Sequence, residues 1–144
     1  MASVQVLGEK LRPTTKSLLL HEANTKTLIK IEELFLVALS FYLFLNLHYA
    51  WWWFLILFFA PDLSMSGYLA NPKVGALTYD FIHHKGTAVA LFILGSYLQL
   101  QWAQAAGLII LGHSSFDRIL GYGLKYSDSF QHTHLGMIGR TPTA

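Results

Sequence analysis

The sequence predicts an all-α integral membrane four-helix bundle with both termini cytoplasmic, and three observations carry that expectation. The chain is 53% hydrophobic and only 12% charged, about half the charged share of an ordinary soluble domain. Four apolar stretches each approach the roughly 20 residues that a helix needs to cross the hydrocarbon layer. Lysine and arginine gather at alternate connections between those stretches, as they do in cytoplasmic loops.

At 144 residues the chain suits one domain, with a polar and amphipathic N-terminal tail over 1–27, a transmembrane domain over 28–124 and a polar C-terminal tail over 125–144. The N-terminal tail lacks the apolar core and small-residue cleavage site of a secretory signal, and is expected to lead into a segment lying on the membrane surface. The first span is predicted from Leu28 to Leu47. The second begins with WWWFLILFFA at Trp51, meets Pro61 and continues to Ala70; a re-entrant hairpin broken at Pro61 is the alternative. Asn71-Pro72 then breaks the helix, because proline lacks an N–H and restricts the residue before it. A third span is predicted over Gly75–Leu100 and a fourth over Gln104–Tyr122, ended by Gly121 and Gly123.

Lys10, Arg12, Lys16 and Lys26 precede the first span and Lys30 stands at its start, Lys73 follows the second with Lys85 a few turns on, and Arg118, Lys125 and Arg140 lie at the end of the fourth and beyond it. The connections at His48–Ala50 and Gln101–Gln104 have none. This pattern puts both ends in the cytoplasm, with Trp51–Trp53 and Trp102 as anchors on the far face. A bacterial chain of this kind belongs in the inner or plasma membrane, with the lipid bilayer as its surroundings.

The absence of cysteine removes disulfides and thiolate metal sites, so any metal must be held by imidazole and carboxylate. A formal charge of +2, with no basic run interleaved with aromatics, gives no support to nucleic-acid binding.

Ionisable side chains inside spans cost about 2.5–3.5 kcal/mol each on insertion scales and usually mark function. Counted from the non-cytoplasmic helix ends, Glu33 lies roughly 21 Å deep, Asp62 roughly 16 Å, His84 roughly 24 Å, His113 roughly 14 Å and Asp117 roughly 20 Å. All four spans thus bring an acid or a histidine to the cytoplasmic half. Asp80 stands three and four residues before His83 and His84, and His113 four before Asp117, so carboxylate and imidazole share a helix face. Carboxylate–histidine pairs on facing helices hold metals in bundle cores. Asp62 and either Glu32 or Glu33 could complete such a shell. Adjacent helical residues point about 100° apart, so one of His83 and His84 faces away.

The expected metal ligands are therefore Asp62, His83 or His84, His113, Asp117 and Glu33, around a divalent zinc, manganese or iron ion. Lys85 and Arg118 could hold a phosphate while Asp80 orients a histidine, which makes these three the candidate catalytic residues. Such a site would act on a lipid or other amphiphile. His132 and His134 read as surface residues, and His21 and His48 have no visible partners.

APDLSMSGYL, YDFIHHKGTAVAL and GHSSFDRILGYGLKY, in that order, resemble an uncharacterised family of small four-helix integral membrane proteins, over about Lys30 to Gly139. More distantly, the Pro-Asp, the His-basic-Gly-Thr segment and the Gly-x-x-x-x-Asp helix are similar to the inner-membrane metal-dependent hydrolases. That likeness implies metal binding by Asp62, a histidine of the His83/His84 pair, His113 and Asp117. The chain lacks that family's second histidine after the threonine and reads PDLS where Pro-Asp-x-Asp is usual, which counts against a two-metal site and against hydrolysis. Two other functions fit the same residues. One is transport or proton relay, which four helices would support only as a homo-oligomer. The other is haem binding between His113 and His83 or His84.

Overall fold

Neither proline nor glycine interrupts residues 15–45, and helix α1 runs unbroken over Thr15–Leu45. The structure, a computed structural model, describes residues 15–139; Lys10, Arg12 and Arg140 lie outside them. Residues 15–27, read as a polar and amphipathic tail, form the first turns of α1. With 31 residues, the helix is about 46 Å long, well beyond the hydrocarbon thickness of about 30 Å.

Helix α2 is short, Trp52–Leu57. Pro61 cannot donate to the carbonyl four residues back, and beyond the turn at Phe58–Phe59 the chain continues as a 3₁₀ helix over Ala60–Leu69. The Asp62 N–H bonds to Phe59 O at 3.2 Å. Ten residues is long for this tighter coil, and Asp62 stands in its first turn. Asn71 then caps α3 (Pro72–His83) by accepting the Val74 N–H at 2.9 Å, with Pro72 where a helix tolerates it best.

The third span, predicted as one helix over Gly75–Leu100, is divided. Helix α3 stops at His83, His84 adopts an extended conformation (φ −83°, ψ 118°), and α4 covers Lys85–Tyr97. Gly86 permits the break: a Cβ there would stand 2.7 Å from Cε1 of the His84 ring. Helix α5 spans Gln101–Leu120 and ends on Gly121 at φ 92°, a left-handed conformation that glycine adopts without penalty.

Helix α5 is the centre of the assembly, with α1 and α4 packed along it and the 3₁₀ helix packed on α3. Small residues set these close approaches. A Cβ on Gly112 would lie 2.5 Å from Ser40 Oγ of α1, and one on Gly107 would lie 2.7 Å from Ala88 O of α4. The buried core joins Phe44, Phe54, Ala105, Leu108 and Ile109. Thr78 Oγ1 donates to Ser64 O at 2.9 Å and ties the 3₁₀ helix to α3.

The fold is all-α apart from a short hairpin, β1 (His132–Thr133) paired antiparallel with β2 (Gly136–Met137). Residues 121–139 return over the end of the helices, and the Lys125 N–H donates to Asp80 Oδ1 at 2.7 Å. Among the described residues one helical stretch, Trp52–Leu69, is long and apolar enough to cross a membrane. Elsewhere α1 carries Lys30, Glu32 and Glu33, α5 carries Asp117 and Arg118, and the third stretch is divided at His84.

Candidate metal centre

His83 is the last residue of α3 and has no exposed surface. Its Nδ1 lies 3.0 Å from the Tyr79 carbonyl, which can only accept. Nδ1 therefore carries the proton, and the Nε2 lone pair points away from its own helix. It points at α5, where His113 Nε2 is 3.1 Å away. The Tyr79 ring stacks on the His83 ring at 3.8 Å between centroids, and Phe58 packs edge-on against His113 at 5.4 Å, so both imidazoles are held in orientation.

Two carboxylates meet this pair. Asp62 Oδ1 lies 3.3 Å from His113 Nε2 and 3.6 Å from His83 Nε2. Asp117 contributes Oδ2 at 3.7 Å from His83 Nε2 and Oδ1 at 3.8 Å from His113 Nε2. The ligand atoms of Asp62, His83, His113 and Asp117 all lie within 4.8 Å of one another. Their positions follow from the breaks in the helices: the 3₁₀ turn after Pro61 delivers Asp62, and the end of α3 delivers His83 to a face of α5 carrying His113 and Asp117 one turn apart.

This donor set suits a cation. Ionised carboxylates only accept hydrogen bonds, as does His83 Nε2, and lone pairs crowded in a buried space repel one another unless a proton or metal lies between them. Tetrahedral ligands with bonds of 2.0–2.1 Å stand roughly 3.3–3.4 Å apart; the imidazole–imidazole and imidazole–carboxylate separations of 3.1–3.8 Å are close to this, within an overall spread of 4.8 Å. Tyr79 completes the arrangement, its hydroxyl donating to Asp117 Oδ2 at 2.8 Å. Such outer contacts orient metal-binding carboxylates. The four residues could hold a metal ion, and imidazole with carboxylate suits zinc, manganese or iron.

The other expected site residues stand elsewhere. His84 is exposed. Glu33 is buried on α1 and ion-pairs with Lys85, while Arg118 donates to the Tyr122 carbonyl at 2.6 Å and closes its own helix. Asp80 accepts the Lys125 N–H and so anchors the returning chain rather than an imidazole. His132 pairs with Asp128 at 2.7 Å, and His134 Nδ1 accepts the Leu124 N–H at 2.8 Å.

Two residues enter that the sequence did not single out. Tyr79, four residues before His83, shares its face, a spacing open to sequence inspection. Lys125 had no such signal: it is 5% exposed, and its ammonium lies 3.9 Å from the Phe130 ring centroid. Burial pushes it below the usual lysine range, opposed by the charges of Asp117 and Asp80. Lys125, Asp62, His113 and Asp117 line one cavity of about 360 Å³. A larger apolar cleft of about 560 Å³ runs past Trp53, Leu57, Pro61, Trp102 and Ile110.

Residues 26–138 match a family described as a domain of unknown function, DUF4260. No curated protein and no solved structure matches the chain. The matched stretch takes in most of α1, all the later helices and every residue of the four-ligand cluster, and the chain belongs to the DUF4260 family.

Proposed function

We propose that this chain is an integral membrane protein in which Asp62, His83, His113 and Asp117 hold one divalent metal ion, serving hydrolysis of an amphiphile. The observation that carries the reading is the convergence of two imidazole Nε2 atoms and two carboxylates from three separate segments on one point. The hydrolytic part rests on the sequence likeness to metal-dependent hydrolases. The membrane part is supported by the apolar spans and by large apolar side chains facing outward, among them Leu63, Leu69, Leu77 and Tyr97. Large apolar side chains exposed in such number favour a membrane or partner surface over a soluble monomer. The basic residues at alternate connections support a site in the cytoplasmic half.

Asp62, His83, His113 and Asp117 would hold the ion, which when bound would supply Lewis-acid polarisation and lower the pKa of water toward neutrality. The protein's own part is positional. His83 is locked by its Nδ1 proton on Tyr79 O, and Asp117 by the Tyr79 hydroxyl. Asp62, the most exposed of the four at 38% of its side chain, faces the cavity from which a substrate would approach. The apolar cleft is lined by Ala60 and Pro61, and the cavity that holds the charged groups by Phe59 and Asp62, so the two are neighbours along the chain, an arrangement suited to an amphiphile with its tail in the first and its head in the second. Haem is disfavoured, because Nε2 atoms 3.1 Å apart leave no room for a planar macrocycle between them.

Elemental analysis of the purified protein tests the proposal. About one zinc, manganese or iron per chain is expected, with loss of that metal in His113→Ala and Asp117→Ala. A metal-free wild type, or variants that both keep the wild-type metal content, would overturn it.

A further inference from the structure

We infer that Lys125 holds a phosphate-type oxyanion of the substrate against the metal centre, which makes the substrate a phosphate-bearing molecule. The inference rests on the metal reading above and adds the chemical class of the ligand.

Lys125 is held in place through its backbone, by the hydrogen bond to Asp80 and by a bridge to Thr133. Its ammonium sits among the rings of Phe130, Tyr79 and Tyr122, at 3.9, 5.2 and 5.9 Å from their centroids. Among the described residues Nζ makes no hydrogen bond and no ion pair, although the residue is 5% exposed. Ring faces attract a cation, yet they leave its three N–H donors unused. The two cations expected at the site are engaged, Lys85 with Glu33 and Arg118 with the Tyr122 carbonyl. Among the described residues Lys125 is thus the cation that lines the same cavity as Asp62, His113 and Asp117. Tyr79 links the two sides, with its ring beside Lys125 and its hydroxyl on Asp117.

Charge decides when an anion would enter. Two carboxylates against one ammonium leave the cavity negative, which repels phosphate. A divalent ion bound by the same carboxylates reverses the sign, so one oxyanion could meet metal and ammonium together. Phosphate binding is therefore coupled to metal loading.

The test uses the full chain in detergent micelles, loaded with manganese, and reads ³¹P relaxation of inorganic phosphate and, separately, of phosphatidate in mixed micelles. Manganese-dependent relaxation is expected in the wild type. Lys125→Met should weaken phosphate binding at least about tenfold, as loss of one charge-assisted contact implies, with manganese stoichiometry unchanged, while Lys125→Arg retains most of the affinity. A response to inorganic phosphate supports a soluble phosphate ester, and a response to phosphatidate alone supports a lipid headgroup. Wild-type affinity in Lys125→Met, or no response from manganese-loaded wild type, overturns the inference. If Lys125→Met loses manganese, Lys125→Gln serves in its place under the same criterion. A wild type that takes up no manganese refutes the metal reading itself, and the stoichiometry measured on each sample tells the two failures apart.

Discussion

The Tyr79 hydroxyl on α3 donates a 2.8 Å hydrogen bond to Asp117 Oδ2 on α5, and the Tyr79 carbonyl receives the Nδ1 proton of His83. One residue thereby fixes an imidazole through its backbone and a carboxylate through its side chain. Removing an outer partner of this kind typically lowers metal affinity about 10–100-fold. Tyr79→Phe should fall in that range, measured by competition with a chromophoric chelator. Unchanged affinity would show that Asp117 is oriented without the phenol.

The adjacent histidines should behave differently. His83 is buried among the cluster while His84 is exposed beyond the end of α3. His83→Ala should abolish stoichiometric metal, whereas His84→Ala should retain it. Glu33→Gln should also retain it, because Glu33 pairs with Lys85. Metal content of the three purified variants decides this, and loss in either of the last two would place the ligands wrongly.

Close approach of α1 and α5 depends on Gly112. A Cβ there would lie 2.5 Å from Ser40 Oγ and 3.0 Å from Phe54 Cζ. Overpacking of this kind costs about 1–3 kcal/mol, so Gly112→Ala should lower the unfolding midpoint in detergent. Adding Ser40→Ala removes the nearest clashing atom and should recover part of the loss. Strict additivity of the two substitutions would argue against direct contact.

The Asp128–His132 pair lies outside the helices. The hydrogen bond from His132 holds the Asp128 carboxyl below its ordinary value of 3.8. A lowered folded-state pKa means that the folded form favours the carboxylate, so the pair adds stability above pH 3.8 that is lost as pH falls through the lowered value. Amide protection across 124–139 should therefore drop on acidification from pH 5 to pH 3. Asp128→Asn should flatten that dependence; an identical pH response in the variant would rule out this pair as its origin.

Much of the helical content was legible because its signals are local. The apolar runs, the Asn71-Pro72 break and the glycine stop at Gly121 each act within a few residues of where they stand. The i to i+4 spacing of His113 and Asp117 likewise puts them on one face before any tertiary contact forms. The division of the third span at His84 was not legible, since Gly75–Leu100 has no proline and its glycines alone do not end a helix. The roles of Asp80 and Lys85 also escaped sequence inspection. Asp80 is near enough to His83 and His84 along its helix to suggest a pair, yet its partner lies 45 residues later in a polar segment.

By itself the sequence determined an apolar, helical, cysteine-free chain whose candidate ligands were limited to imidazole and carboxylate, because composition and short-range periodicity act without tertiary contact. Only the tertiary structure decided that Asp62, His83, His113 and Asp117 converge while Glu33 and His84 turn elsewhere. That choice depends on how far each helix extends before it breaks and on which small residues let α1 and α4 close on α5. These are long-range packing outcomes, and no spacing along the chain encodes them.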